Sequence, residues 1–309
     1  MPDELLSSVP GVADVEVLRG RAAAPDAPAA LLVEVPHGAD RGDYDAVRAQ
    51  LTGALPDDLN EFFAVNTDVG AWELGRSVAG AVAAADPRRT VIAIRCRIPR
   101  TFIDCNRVEE AGEGDLSAGG MTASVPAYVR EEDDRARLLA LHRRYVALVE
   151  RAHAALGDSG FLLLPHTYGP RTLGVEKVDD DIVKSLRWAH EAERVETWPL
   201  RPEVDMITRS QDGAVSAAAD VAAEVSAAYA ELGVTVAENA TYHIHPSTLA
   251  HRWAERFPGR VFCLEVRRDL LVEEWTWNRE NRVVPAAALR FAAPIAAAID
   301  AWLRRGRGG

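Results

Sequence analysis

Leu31-Leu32-Val33-Glu34-Val35-Pro36-His37 and Leu162-Leu163-Leu164-Pro165-His166 share one grammar: an apolar run closed by Pro-His. A short, nearly continuous apolar run reads as a strand buried on both faces. A histidine at the exit of such a strand is held by rigid backbone yet open to a ligand, which suits a metal. Two matched exits therefore predict a metal centre built from strand ends.

Further strands are predicted at 90–96 and 260–266, with weaker ones at 12–18 and 234–237. Between them lie stretches of helical period at 69–85, 132–156, 215–232 and 286–305. Core-facing stripes are Leu138, Leu141, Tyr145, Leu148 and Ala152, then Val221, Val225, Ala228 and Leu232, then Phe291, Ile295, Ile299 and Leu303. Short apolar runs alternating with helices predict an α/β fold, a mixed or parallel sheet covered by helices. Thr67 or Asp68 is placed to cap the helix at 69–85. Pro294 predicts a kink or break near residue 293.

Residues 20–29 and 108–126 read as loops, the second long enough for a lid. The stretch 1–29 is an N-terminal extension, and 304–309 is a frayed tail. The chain has 309 residues, 48% of them hydrophobic, enough for one large domain, and no shift in composition marks a second. A formal charge of -12 argues against nucleic acid. The three cysteines, Cys96, Cys105 and Cys263, form no CxxC pair, which speaks against a disulfide framework or a thiolate zinc site and for the cytoplasm. The N-terminus lacks a basic leader region, and no apolar run reaches the ~18 residues of a membrane span. GxGxxG, Walker, GxSxG and HExxH motifs are absent, which removes dinucleotide, P-loop, serine hydrolase and thermolysin-like readings.

His37, the Arg97/Arg100 pair, His166 and Glu265 all sit at or just past the C-terminal ends of predicted strands, where open α/β sheets bind ligands. A catalytic zinc takes three protein ligands. Asp68, at a helix entrance in Asn66-Thr67-Asp68-Val69-Gly70, is the preferred third, although an aspartate there can simply cap the helix. Asp40 in His37-x-x-Asp40 is the rival, ranked second because Asp40-Arg41-Gly42-Asp43 reads as exposed loop.

Alternation along Val261–Val266 puts Phe262, Leu264 and Val266 on one face and Cys263 and Glu265 on the other. A buried acid is costly unless paired or used. Glu265 is therefore either salt-bridged to Arg267 or Arg268, or a general base beside the metal. The stretch from Arg97 to Arg107 is rich in guanidinium forks suited to a small acidic ligand, with Asp104 orienting an arginine. His243 and His245 form a structural pair or a second contact, His142 and His153 are packing residues, and His190 and His251 are solvated.

In order along the chain, Val35-Pro36-His37-Gly38, Asn66-Thr67-Asp68, Phe102-Ile103-Asp104-Cys105-Asn106-Arg107, Leu164-Pro165-His166 and Cys263-Leu264-Glu265-Val266-Arg267-Arg268 resemble the N-formylglutamate amidohydrolase family. Arg201-Pro202-Glu203-Val204-Asp205 and Glu238-Asn239-Ala240-Thr241-Tyr242 extend the resemblance, which runs from about 30 to 275. It implies a single three-layer domain similar to the zinc carboxypeptidases, with helices on both faces of a mixed, mostly parallel sheet. It also implies one divalent metal ion, zinc, on His37, Asp68 and His166, with Glu265 as catalytic carboxylate. Asn106 and Arg107, supported by Arg100, would hold the substrate carboxylate.

The expected reaction is hydrolysis of an N-acyl, in the first instance N-formyl, acidic amino acid, with no nucleic acid or membrane as partner. Two alternatives stand beside it. One is a carboxypeptidase or deacylase acting on another acyl amino acid or peptide. The other is a non-catalytic binding protein for an acidic metabolite.

Overall fold

The structure, a computed structural model, describes residues 6–112, 114, 121–214 and 217–306. The strands are β1 (Ala13–Arg19), β2 (Ala29–Val35), β3 (Thr90–Cys96), β4 (Leu156–Tyr168), β5 (Val204–Ile207), β6 (Val236–Glu238) and β7 (Val261–Arg267). They form one sheet in the order β1-β3-β2-β4-β7-β5-β6. The central run β3, β2, β4 and β7 is parallel, β6 is parallel to β5, and β1 and β5 pair antiparallel to β3 and β7. This is a single α/β domain with a mixed, mostly parallel sheet.

The helices are α1 (Arg41–Arg48), α2 (Leu59–Asn66), α3 (Ala71–Ala85), α4 (Glu132–Ala154), α5 (Ile182–Ala189), α6 (Ala192–Val195), α7 (Ala219–Glu231), α8 (Leu249–Arg256) and α9 (Pro285–Arg305). They cover both faces of the sheet. On one face Leu32, Ile92 and Leu164 pack with Leu138, Tyr145 and Leu148 of α4. On the other, Leu31, Val33 and Leu264 pack with Leu74 and Val78 of α3, Val221 and Tyr229 of α7, and Ile295 and Ile299 of α9. Leu232 does not join this core. It is 43% exposed because α7 ends one residue before it, and Tyr229 fills the buried position.

Helix α9 continues through Pro294 without a break. The carbonyl that loses its partner there belongs to exposed Arg290, where water can serve it. By length and composition this helix could cross a membrane, but its stripe of Phe291, Ile295, Ile299 and Leu303 is buried in the core. The N-terminal stretch 1–29 carries β1, which pairs with all of β3 from Ala13↔Cys96 to Arg19↔Thr90. Residues 113 and 115–120 of the expected lid loop, and 307–309 of the tail, lie outside the described residues.

One carboxylate is buried far from water within this core. Strand alternation turns Glu34 of β2 toward α4, where Tyr145 Oη donates to its Oε1 at 3.0 Å. Among the described residues its Oε2 has no hydrogen-bond partner, and Trp253 Nε1 lies nearby without reaching a hydrogen bond. Burial pushes the Glu34 carboxyl up to about 7, against the smaller pull of Tyr145 and Trp253. The folded chain thus holds this proton more tightly than the unfolded chain, whose glutamates titrate near ~4.3. Its stabilising contribution is complete below that value and is lost as pH rises through about 7. Glu34→Gln is therefore expected to gain stability over the native chain between pH 5 and 8, by on the order of 2–3 kcal/mol at the upper end. Urea midpoints measured across that range check it, and a difference that does not change with pH would contradict it.

Candidate metal and catalytic site

The parallel register sets the two Pro-His segments side by side. Leu31, Leu32 and Val33 pair with Phe161, Leu162 and Leu163, so β2 and β4 reach the same sheet edge together. His37 lies just past β2. His166 does not lie past its strand as the sequence suggested, because β7 continues beside β4 and pairs Tyr168 with Arg267. The same register pairs His166 with Glu265.

The turn between α2 and α3 supplies Asp68. Neither Thr67 nor Asp68 caps α3: the cap is Gly70 at φ 88°, a left-handed conformation that glycine adopts freely. Thr67 Oγ1 donates to the Ala39 carbonyl at 2.9 Å, and the Asp68 amide donates to the His37 carbonyl at 3.1 Å. Thr167 Oγ1 donates to the Val69 carbonyl at 2.9 Å. The helix entrance is thereby tied to both strand exits, and the Asp68 side chain is free of capping duty.

His37, Asp68 and His166 are all buried, and one potential ligand atom from each lies within 4.8 Å of the others. Asp68 Oδ2 is 3.2 Å from His37 Nδ1 and 2.9 Å from His166 Nδ1. The second oxygen, Oδ1, accepts from Arg268 Nη2 at 3.0 Å. Despite burial, the opposing charge of His37 and the hydrogen bonds from His166 and His37 hold Asp68 well below the usual carboxylate range.

Asp40, the rival ligand, is elsewhere. It caps α1 through a reciprocal pair with Asp43 and faces Arg95 at 3.0 Å, with half its side chain in water. The Asp40–Asp43 stretch is a helix start and not an open loop.

His37 has its other nitrogen engaged as well: Nε2 is 2.8 Å from Asp104 Oδ1. Asp104 also meets Arg100 Nη2 at 3.0 Å and Arg107 Nη2 at 3.4 Å through Oδ2. Arg107, Arg100 and His37 hold its carboxyl well below the ordinary range against the cost of burial. Asp104 therefore orients a histidine as well as two arginines. Asn106 is built into the same turn, its amide donating to Asp104 Oδ1 at 2.9 Å and its Oδ1 accepting from the Ala250 amide at 3.3 Å. His142 of α4 packs beneath, its Nε2 2.8 Å from the Arg107 carbonyl. Arg97 leaves the group, bound to Asp43 at 2.7 Å and Asp14 at 3.5 Å.

Glu265 is 9% exposed, and its Oε2 has no hydrogen-bond partner among the described residues. The salt bridge open to it in sequence is not formed. Arg268 serves Asp68 and the Thr167 carbonyl, while Arg267 serves Asp269 at 2.9 Å. Burial pushes the Glu265 carboxyl up to about 7; His166 opposes that rise and the negative charge of Asp68 adds to it.

The donor set can be tested against a divalent ion on the geometry of His37. Both of its ring nitrogens face carboxylate oxygens. If the imidazole is neutral with its proton on Nε2 toward Asp104, the Nδ1 lone pair confronts Asp68 Oδ2 at 3.2 Å. A cation between them converts that repulsion into ligation. Two imidazole nitrogens and one carboxylate form a set used by zinc and other first-row divalent ions, and the carboxylate behind His37 is the usual outer support. The residues fit the group.

The family model for N-formylglutamate amidohydrolase matches residues 29–272. The chain belongs to this family. It is accordingly an amidohydrolase, and the non-catalytic alternative gives way. The N-formylglutamate amidohydrolase of Ralstonia eutropha has a similar fold, with 18% identity, a TM-score of 0.53 and coverage of 94% of this chain and 98% of that one. A gene product of Agrobacterium tumefaciens is 15% identical over 96% of each chain, also with a TM-score of 0.53. No curated protein matches the sequence.

Two groups beside the cluster take parts that the sequence does not indicate. Arg268 was a possible partner for Glu265 and instead holds Asp68, 200 residues away in sequence. Asp205 of β5, in register with Glu265, accepts the Ala240 and Thr241 amides at 3.0 and 2.6 Å and so fixes the segment bearing Tyr242. In sequence, Asp205 is marked only by lying within a motif of the family resemblance. Outside the cluster, His153 contacts Trp253 edge-on at 4.2 Å, and burial lowers its pKa to about 3. His190 is not solvated as expected: it stacks on Trp277 at 4.5 Å. His243 is exposed, and His245 Nδ1 lies 2.7 Å from Ser247 Oγ.

Proposed function

We propose that the chain hydrolyses the amide of an N-acylated acidic amino acid, N-formylglutamate first, with one divalent ion held by His37, Asp68 and His166. The observation that carries this reading is the carboxylate of Glu265: it is buried in register with His166, and its Oε2 has no hydrogen-bond partner among the described residues. An unpaired buried acceptor is expensive in a merely structural role and useful as a general base.

The chemistry such an ion supplies when bound is polarisation of the amide carbonyl and acidification of water. Glu265 takes a proton from the attacking water on a carboxylate oxygen and returns it to the departing amide nitrogen. A C–O bond forms, the C–N bond breaks, and formate and the free amino acid leave. Arg107 and Asn106 bind the substrate carboxylate, and Arg100 supplies positive charge for the developing oxyanion. Asp104 keeps these groups in register by holding His37 and both arginines at once.

Assaying the metal-loaded protein on N-formyl-L-glutamate, beside N-acetyl-amino acids and short peptides, tests the reading. N-formylglutamate should have the highest kcat/KM. Arg107→Ala should lower that value by about 10–100-fold, the worth of one charge-assisted hydrogen bond, with a smaller loss on a substrate amide that lacks the carboxylate. Preference for a peptide or another acyl group would replace the substrate assignment.

A further inference from the structure

Of Arg100, Arg107, Arg201 and Arg268, three are bonded to carboxylates. Arg268 has Asp68, while Arg100 and Arg107 share Asp104. Arg201 differs. Among the described residues its guanidinium meets only neutral oxygens: Nε donates to Thr172 Oγ1 at 3.2 Å, Nη1 to the Gly169 carbonyl at 3.3 Å and Nη2 to Tyr242 Oη at 3.3 Å. A guanidinium carries five N–H donors, so two remain uncommitted.

This cation is also held in place. Its Cζ lies 5.0 Å from the ring centre of Tyr168 and 5.6 Å from that of Tyr242, so the group is gripped by two aromatic rings while staying half-buried and reachable. Its own backbone is fixed on both sides, the amide to the Pro170 carbonyl at 2.8 Å and the carbonyl to Arg267 Nη1 at 3.1 Å. Arg267, which holds that carbonyl, lies two residues after Glu265 on β7, and Tyr242 follows the Ala240 and Thr241 amides that Asp205 fixes in register with Glu265. A half-buried guanidinium held between two rings, with no carboxylate at ion-pair distance among the described residues, is prepared for a ligand's carboxylate.

We propose that Arg201 recognises a second substrate carboxylate, that of the acidic side chain, while Arg107 and Asn106 hold the first. The inference rests on the proposed reaction and assigns the residue that reads the acidic side chain of its substrate. It predicts discrimination between glutamate and glutamine side chains.

The test compares kcat/KM on N-formyl-L-glutamate with that on N-formyl-L-glutamine, in the native enzyme and in Arg201→Gln and Arg201→Lys. The glutamate-to-glutamine ratio should fall by about 10–100-fold in Arg201→Gln. Arg201→Lys, which keeps the charge and loses the fork, should lie between. Equal losses on both substrates would show that Arg201 only holds the tyrosines, and would overturn the proposal.

Calorimetric titration with L-glutamate and L-glutamine gives a readout without turnover, and Arg201→Gln should lose the native preference for glutamate. A native enzyme inert toward both formyl substrates would refute the reaction class. The subsite would then stand on a glutamate preference that Arg201→Gln abolishes, and fall without one.

Discussion

Glu265→Gln should lower kcat by about 10²–10⁴-fold, the usual worth of a positioned general base, while bound metal stays at its native level. Glutamine keeps the size and one acceptor oxygen of the side chain but cannot take up a proton. It also removes the cost of an ionisable group buried without a hydrogen-bond partner on Oε2. The variant should therefore be at least as stable as the native chain, which separates a catalytic loss from an unfolding one. Single-turnover rates on N-formylglutamate, with metal content and thermal melting measured on the same sample, read all three quantities. Near-native turnover would move the proton transfer to another group, Asp205 being the next carboxylate in register.

The second large effect is expected at Asp68, which serves two histidines and two arginines at once, Arg268 at 3.0 Å and Arg100 at 3.8 Å. Asp68→Ala removes a proposed metal ligand and leaves the Arg268 guanidinium buried without its carboxylate. Breaking one side of a buried ion pair costs about 3–5 kcal/mol, because the remaining charge stays uncompensated. The double variant Asp68→Ala/Arg268→Met should recover much of that stability, since it removes the stranded charge, yet should still fail to bind metal. Denaturant unfolding of the single and double variants checks the first half, and metal content the second. A single variant as stable as the native chain would mean that Arg268 finds other compensation and that the pair does not organise the site.

The elements readable in sequence were those whose period or composition is visible within one segment. Strands β2, β3, β4 and β7 are near-continuous apolar runs because helices bury both their faces, and α4 and α9 are long enough to show a stripe. Strand β5 has four residues, and α1, α2, α5 and α8 have eight each, too few for a period to stand out. Asp40 shows the limit for single residues. Its spacing from His37 suits a chelating pair, but the capping box with Asp43 turns its carboxylate to the helix start.

Site chemistry divided in the same way. His37, His166 and Glu265 were visible because each interrupts or ends an apolar strand, and register alone then brings His166 beside Glu265. What Asp68, Asp104 and Arg268 do depends on partners far away in sequence, such as His37 with Asp104 and Asp68 with Arg268. Those contacts follow from which strands are neighbours in the sheet, which no local pattern encodes. Arg97 and Arg100, only three residues apart, divide between a surface pair with Asp43 and the cleft.

Central to this account is one divalent ion shared by His37, Asp68 and His166, and an anomalous difference map from crystals loaded with zinc tests it most directly. The expected result is a single strong peak bounded by His37 Nδ1, His166 Nδ1 and an Asp68 oxygen, with ligand distances of about 2.0–2.2 Å. A map with no peak there, or with its peak at the His243 and His245 segment, would contradict the metal centre and the mechanism built on it.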